Sequence, residues 1–215
     1  MDIPQTRERP EPVPVPDFVL AAPPLPEGPL QTPRLLLRPW REEEIAAVCA
    51  ICQDPDVQRW TTVPSPYQLK DAEWFVREHA PKGFRSGDEA TFGVFVKETG
   101  QIAGAVGLAG ITTLVVNRGV RTAEVGYWAN PETRGNGYIT EAVREVVRWA
   151  FEDVKLGRVV WQAFDGNEAS RRVIEKVGFT IVGRQRASHA HRGVPKDMWL
   201  ADILPGELRW SATLR

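Results

Sequence analysis

A chain of 215 residues with 42% hydrophobic content and a formal net charge of −1 suits one globular domain with a modest extension, and it can bury a sizeable core without disulfide or metal staples. The near-neutral balance gives no general pull toward nucleic acid or an anionic membrane, and no stretch reaches the roughly eighteen apolar residues of a membrane helix. The N-terminus mixes Asp2, Arg7, Glu8 and Arg9 with prolines and has no apolar signal core, so the expectation is a cytoplasmic protein.

Residues 1–33 hold ten of the eighteen prolines. Proline has no N–H to give to a helix or a sheet, so residues 1–30 should form an extended segment. It is either a tail that docks on the domain through Phe18, Val19 and Leu20 or a proline motif for a partner. One domain should then span 31–205, followed by a short tail over 206–215.

Arg34 to Arg38 reads as a strand closed by Pro39, and residues 42–52 as a helix whose Ile45, Val48, Cys49 and Cys52 form one stripe. The Cys49-x-x-Cys52 pair lacks further ligands at zinc spacing, since His79, His189 and His191 are scattered. A redox pair would need a strand-to-helix turn, so these read as reduced, packed thiols, and no metal site is expected. Pro55, Pro64 and Pro66 mark residues 55–67 as loop, and a helix over 68–80 should stop at Pro81.

Residues 91–98 and 101–111 read as a hairpin turning at Thr99-Gly100. Residues 123–129 form a strand with Ala123, Val125, Tyr127 and Ala129 on one face and Glu124, Gly126 and Trp128 on the other. The clearest helix places Val143, Val146, Val147, Ala150, Phe151 and Val154 on one stripe, with Gly157 expected to end it. Residues 158–164 are almost uniformly apolar, as in a strand covered on both faces, and complete a right-handed βαβ crossover. A helix over 167–177 stops at Gly178, and strands over 179–186 and 194–203 finish the fold, separated by a polar segment around His189 and His191. The class is α/β: a mixed, mainly antiparallel seven-stranded sheet with one parallel βαβ crossover and about four helices.

The loop Arg134-Gly135-Asn136-Gly137-Tyr138-Ile139 lies between a strand and the strongest helix. A helix start offers N–H groups and the positive end of its dipole to a phosphate, and glycines let the backbone approach the anion. The loop lacks the Lys-Ser/Thr pair of a P-loop and the G-x-G-x-x-G of a dinucleotide fold. It is either such an anion cradle or a tight surface turn.

Five segments occur in order: Thr32-Pro33-Arg34-Leu35-Leu36-Leu37-Arg38, Ala123-Glu124-Val125-Gly126-Tyr127-Trp128, Arg134-Gly135-Asn136-Gly137-Tyr138-Ile139-Thr140-Glu141-Ala142, Asn167-Glu168-Ala169-Ser170 and Glu175-Lys176-Val177-Gly178-Phe179. Over residues 30–204 the chain resembles the GNAT acetyltransferase superfamily, and within it the RimJ/RimL-like N-acetyltransferases. The resemblance implies acetyl-CoA, or another acyl-CoA, as co-substrate, its pyrophosphate held by the backbone from Arg134 to Thr140. It implies a pantetheine arm lying where the strand at 123–129 splays from that at 158–164, with Asn167 bonding the arm. It also places Tyr127 and Trp128 along the coenzyme, the N–H near Tyr127 polarising the thioester carbonyl.

Two departures stand out. The superfamily loop ends in Gly or Ala where this chain has Ile139, whose side chain must turn away from the phosphates. Where many members carry a tyrosine that protonates the thiolate, this chain has Ile174. Ser170 lies four residues earlier on the same helical face and is the thiolate partner that the RimJ/RimL resemblance implies. Glu124, beside the vacant face of Gly126, is the candidate general base acting through water; otherwise it is a strand carboxylate facing solvent or an arginine. Trp60, Tyr67, Trp74 and Phe84 fall in the region that shapes the acceptor pocket in the resembled family, either as pocket or as core. The expected reaction is acetyl transfer to a primary amine, on a protein N-terminus or a small molecule. Transfer of a larger acyl group such as succinyl, or acyl-CoA binding without catalysis, are the alternatives. A homodimer is compatible with the sequence.

Overall fold

The computed structural model describes residues 24–26, 28–111 and 120–208. The docking residues Phe18 to Leu20, with most of the proline-rich segment, and residues 209–215 lie outside them. Leu25 and Leu30 are buried in the main core, so packed structure begins before residue 31.

Among the described residues eight strands form one sheet: β1 (Leu30–Gln31), β2 (Leu35–Arg38), β3 (Ala90–Val96), β4 (Ile102–Ala109), β5 (Thr122–Ala129), β6 (Arg158–Phe164), β7 (Thr180–His191) and β8 (Val194–Ile203). Their order across the sheet is β1-β2-β3-β4-β5-β6-β8-β7, and every pair is antiparallel except β5–β6. The expected seven become eight because Leu30 and Gln31, between Pro29 and Pro33, pair with Leu37 and Leu36. Two residues carry no periodic signal.

Among the described residues the six α-helical segments are α1 (Ile45–Cys52), α2 (Pro55–Trp60), α3 (Leu69–Trp74), α4 (Ala80–Ser86), α5 (Tyr138–Glu152) and α6 (Glu168–Val177). A π-helical turn, Phe75–His79, joins α3 to α4 into one rod, so there are five helical bodies where about four were expected. The addition is α2, in the segment expected to be loop. The Asp54 carboxylate accepts from the N–H groups of Asp56 and Val57 at 3.2 and 3.0 Å, and Pro55 sits at the first position, where its missing N–H is harmless. Nor does Pro81 stop the preceding helix. The wide π turn opens the ladder just where Pro81 has no N–H to give, and the rod runs on to a left-handed Gly87, φ 77°.

The sheet buries both faces. On one, α5 and α6 cover Leu35, Leu37, Val106 and Val159, with Val143, Val146, Val147 and Ala150 of α5 fully buried. Leu37→Ala in this close-packed layer should cost roughly 2–5 kcal/mol. On the other, Trp40, Val48, Cys52, Val57, Val76 and Phe95 form a second core beneath α1–α4. Both cysteines are free and buried there, and burial pushes the Cys52 thiol up to about 12, so it is no nucleophile.

Gly157 does not end α5. The helix closes at Asp153, Lys155 takes the left-handed position at φ 61°, and Leu156 N–H returns to Ala150 C=O at 2.8 Å; Gly157 already donates to Arg121 at the mouth of β6. The polar segment around His189 is strand as well. β7 runs to His191, with register shifts against β8 between Ile181 and Gly183 and between Gln185 and His189, and turns at Arg192-Gly193, whose φ values of 52° and 77° suit a two-residue hairpin.

One irregularity in the sheet positions the site. Parallel pairing of β5 with β6 covers only Thr122↔Arg158, Ala123↔Val159 and Glu124↔Val160. Beyond it β5 stays with β4 as far as Ala129↔Gly104, and β6 stays with β8 as far as Phe164↔Met198. The two strands diverge into a slot, which puts the backbone of 125–129 on that edge outside any ladder.

Candidate active site

The loop between β5 and α5 is anchored at its base. Asn130 N–H and Thr133 Oγ1 donate to Ala103 C=O at 2.9 and 3.2 Å, and Asn130 Nδ2 donates to Ile102 C=O at 2.8 Å. Gly135 and Gly137 then take φ of 84° and 77°, with nothing within 4 Å of where a Gly135 side chain would start. The first helical bond of α5 is Glu141 N–H to Gly137 C=O, 3.0 Å, and no side chain caps the helix among the described residues. The N–H groups of Tyr138, Ile139 and Thr140 therefore lack intrahelical acceptors, beside the exposed Gly135, Asn136 and Gly137. Ile139 turns into the core, where its Cδ1 would lie 2.8 Å from a Cβ on Gly104.

Arg34 splints this loop from β2. Its Nε and Nη2 reach Glu141 Oε2 at 2.7 and 2.6 Å, its Nη1 donates to Asn136 C=O at 3.1 Å, and its guanidinium lies over the Tyr138 ring. Thr32 Oγ1 donates to the other oxygen of Glu141 at 2.5 Å. The Arg134 side chain points elsewhere: it pairs with Asp54 at 2.5 Å and Asp56 at 3.3 Å, tying the loop to α2, while its own N–H reaches back toward Pro131.

At the slot, Glu124 and Ser170 lie on opposite faces of the sheet. Glu124 shares its face with Gln162 of β6, whose Nε2 donates to Oε2 at 3.0 Å. Burial raises the Glu124 carboxyl pKa, partly offset by that bond and by His189 nearby. Gly126 has open space in front of it. On the α5/α6 face, Asn167 caps α6 by accepting from Ser170 N–H at 3.2 Å, which leaves its amide nitrogen as the group able to donate outward. Ser170 Oγ accepts from Trp161 Nε1 at 3.2 Å and donates to Tyr127 Oη at 2.8 Å; Tyr127 in turn donates to Ser170 C=O at 2.9 Å. Ile174 is fully buried core.

On the Glu124 face, Phe164 packs against His189 and His191, His191 Nε2 lies 3.0 Å from Thr61 C=O, and Arg192 donates to Gln58 C=O at 2.6 Å. The β7–β8 hairpin thus arches over to α2, and Trp60 approaches the Gly166 turn after β6. Tyr67 and Phe84 are core, and Trp74 is exposed and stacked on His79. Trp128 stacks on Trp40 across the second core. Arg34, Glu141, Gln162 and Trp161 were missed as site residues in the sequence. Arg34 and Glu141 stand inside the quoted motif segments, and Gln162 is the polar interruption of an apolar strand.

The acetyltransferase (GNAT) domain family matches residues 34–180. The Bacillus subtilis protein named "Putative ribosomal N-acetyltransferase YdaF" is 40% identical over 87 residues, 40% of this chain and 48% of that protein. The chain thus spans about half of that relative, but 92% of "Uncharacterized N-acetyltransferase YoaA" from the same organism, at 27% identity over 78% of this chain. Mycobacterium smegmatis RimJ, solved with CoA-disulfide, superposes at a TM-score of 0.74 with 24% identity, over 86% of this chain and 90% of that one, a likeness of fold.

Proposed function

The chain belongs to the acetyltransferase (GNAT) domain family, and from that premise we propose that it is an acyl-CoA-dependent N-acetyltransferase working through the slot between β5 and β6. The observation that carries this is the coincidence of the sheet opening after Glu124↔Val160 with the uncapped start of α5. A pyrophosphate would lie on the N–H groups of Gly135 to Thr140, and the pantetheine arm would extend the sheet in place of the missing β5–β6 pairing, within reach of the Asn167 amide. The thioester carbonyl would then meet the backbone N–H groups of β5 near Tyr127 and Trp128.

The two faces of the slot divide the chemistry. An amine enters from the face of Glu124, framed by Trp60, Phe164 and the β7–β8 hairpin, and Glu124 takes its proton through water. The nitrogen forms its bond to the carbonyl carbon, the carbon–sulfur bond breaks, and the electron pair leaves on sulfur toward Ser170. A thiol of pKa about 8.5 leaves without a strong acid, so a hydroxyl donor suffices. Burial suits Glu124 to the base, since it raises the proton affinity of the carboxylate.

The acceptor we propose is an α-amine. Its pKa of about 7.7–8.0 makes the free base roughly 1.4 kcal/mol uphill at pH 7, against nearly 5 for a lysine of pKa about 10.4. One carboxylate acting through water fits the smaller task, and the name of YdaF points to ribosomal proteins as acceptors. The test crosses acyl-CoAs with peptide α-amines, peptide lysines and small amines while following thiol release; faster reaction of a lysine-only peptide than of its α-amine counterpart would overturn the acceptor assignment.

A further inference from the structure

We propose that Tyr127 and Trp161 are positioning residues for Ser170, together making its hydroxyl the donor that receives the departing sulfur; this rests on the acyltransfer function proposed above. The two side chains come from the two diverging strands. Trp161 is one residue past the last β5–β6 pair and Tyr127 three past it, so each belongs to the wall of the slot rather than to a ladder between them. Ser170, in the first turn of α6, is bonded to both.

The direction of the bonds matters. At rest the indole N–H of Trp161 points at Ser170 Oγ, the serine proton points at the phenol oxygen, and the phenol proton points at the Ser170 carbonyl. This closed loop satisfies every donor while holding the serine proton away from the slot. Two hydroxyl rotations, with no heavy atom moved, reverse it. Tyr127 swings its proton from the Ser170 carbonyl to Oγ, 2.8 Å away, and the serine proton is freed to point at sulfur.

Ser170 Oγ then accepts two hydrogen bonds and donates one. Two inbound donors draw density from the oxygen and strengthen the outgoing O–H, the cooperative effect of a hydrogen-bond chain. No proton need leave the serine. The carbon–sulfur pair departs on sulfur, the thiolate is held by the O–H, and its proton comes later from solvent. Burial keeps Tyr127 protonated by raising its phenol pKa, so it retains a proton to donate.

Tyr127→Phe keeps the ring and removes the hydroxyl, and Trp161→Phe removes the indole N–H. Each is measured alone and in a Ser170→Ala background, with acetyl-CoA and the best amine acceptor. We expect each single change to lower kcat about three- to tenfold, the scale of one hydrogen bond, with KM for acetyl-CoA held within about twofold. In the Ser170→Ala background neither should lower kcat by more than about twofold, because the group they position is gone. Trp161 is 2% exposed, so Trp161→Phe risks a packing defect, and Tyr127→Phe is then the deciding variant. Wild-type kcat in Tyr127→Phe, or a loss that persists in full without Ser170, overturns the proposal while leaving the acyltransfer function intact. Absence of thiol release by the wild-type protein with every acyl-CoA and amine would remove both.

Discussion

Arg34 and Glu141 stand 107 residues apart in sequence and form an ion pair of unequal halves: the Glu141 side chain is 3% exposed and that of Arg34 46%. Glu141 lies in the first turn of α5, where a carboxylate favours the helix dipole but sits beside the proposed phosphate site. Arg34 neutralises it and holds the Asn136 carbonyl with the same guanidinium.

Removing Arg34 should therefore harm two properties at once. Arg34→Ala takes the paired guanidinium from a buried carboxylate that keeps Thr32 and the Arg34 backbone N–H as donors and feels the charge of Arg144, so stability should fall by about 3 kcal/mol. Coenzyme A affinity should fall with it. Glu141→Gln, which removes the charge that Arg34 neutralises, should cost less of both. Denaturant melts and calorimetry with coenzyme A check the order; equal affinity in Arg34→Ala and wild type would mean that the splint has no part in binding.

Gly137→Asp places a carboxylate on the proposed phosphate loop, where a Cβ would meet Arg34 at 3.7 Å and the φ of 77° is one that Asp tolerates better than most side chains, at a modest stability cost. The fold should survive, and coenzyme A affinity should drop at least tenfold, about 1.4 kcal/mol. Calorimetry on the folded variant is the check, and an unchanged Kd would exclude this loop as the phosphate site.

Glu124 carries a pH signature of known sign. Burial raises its folded-state pKa, so the native fold holds the proton more tightly than the unfolded chain does. That costs stability progressively as pH rises through the unfolded and then the folded pKa. Glu124→Gln should thus melt at a higher temperature than wild type at neutral pH, and the gap should close below the carboxylate range. Its turnover should be lower by on the order of a hundredfold at pH 6, with the deficit shrinking toward pH 8 as the amine loses its own proton. A variant deficit that is flat with pH would move the base to another group.

Asp54 has the opposite sign. Burial pushes its carboxyl up, but the Arg134 bond and the two N–H groups it caps outweigh this and hold it below the usual carboxylate range. Its stabilisation is present above the unfolded pKa and is lost as pH falls through the folded one. Asp54→Ala should cost about 1–2 kcal/mol at pH 7, as loss of a helix cap does, and its melting temperature should converge with wild type in acid.

Elements that repeat a simple pattern were legible from sequence alone. The stripe from Val143 to Ala150 gave α5, the apolar run at 158–164 gave β6, and the Thr99-Gly100 turn gave the β3–β4 hairpin. Elements defined by one cap or two pairings were not. Asp54-Pro55 starts α2 with residues that elsewhere mark a loop, and β1 is two residues long. Glu124, Tyr127 and Ser170 entered through motifs, but the bonds that join them to their partners could not. The bonds from Ser170 to Tyr127 and from Glu124 to Gln162 cross 43 and 38 residues, distances over which local pattern carries no information.

The most direct measurement is steady-state release of free thiol from acetyl-CoA in the presence and absence of a peptide whose α-amine is its only free amine, with mass analysis of the peptide. Wild-type protein should release thiol in step with acetylation of that amine, Glu124→Gln and Gly137→Asp should each depress both, and blocking the α-amine should abolish both. Thiol release that proceeds at the same rate without any amine, or none with any amine offered to protein that binds acetyl-CoA, would contradict amine acylation at the β5–β6 slot.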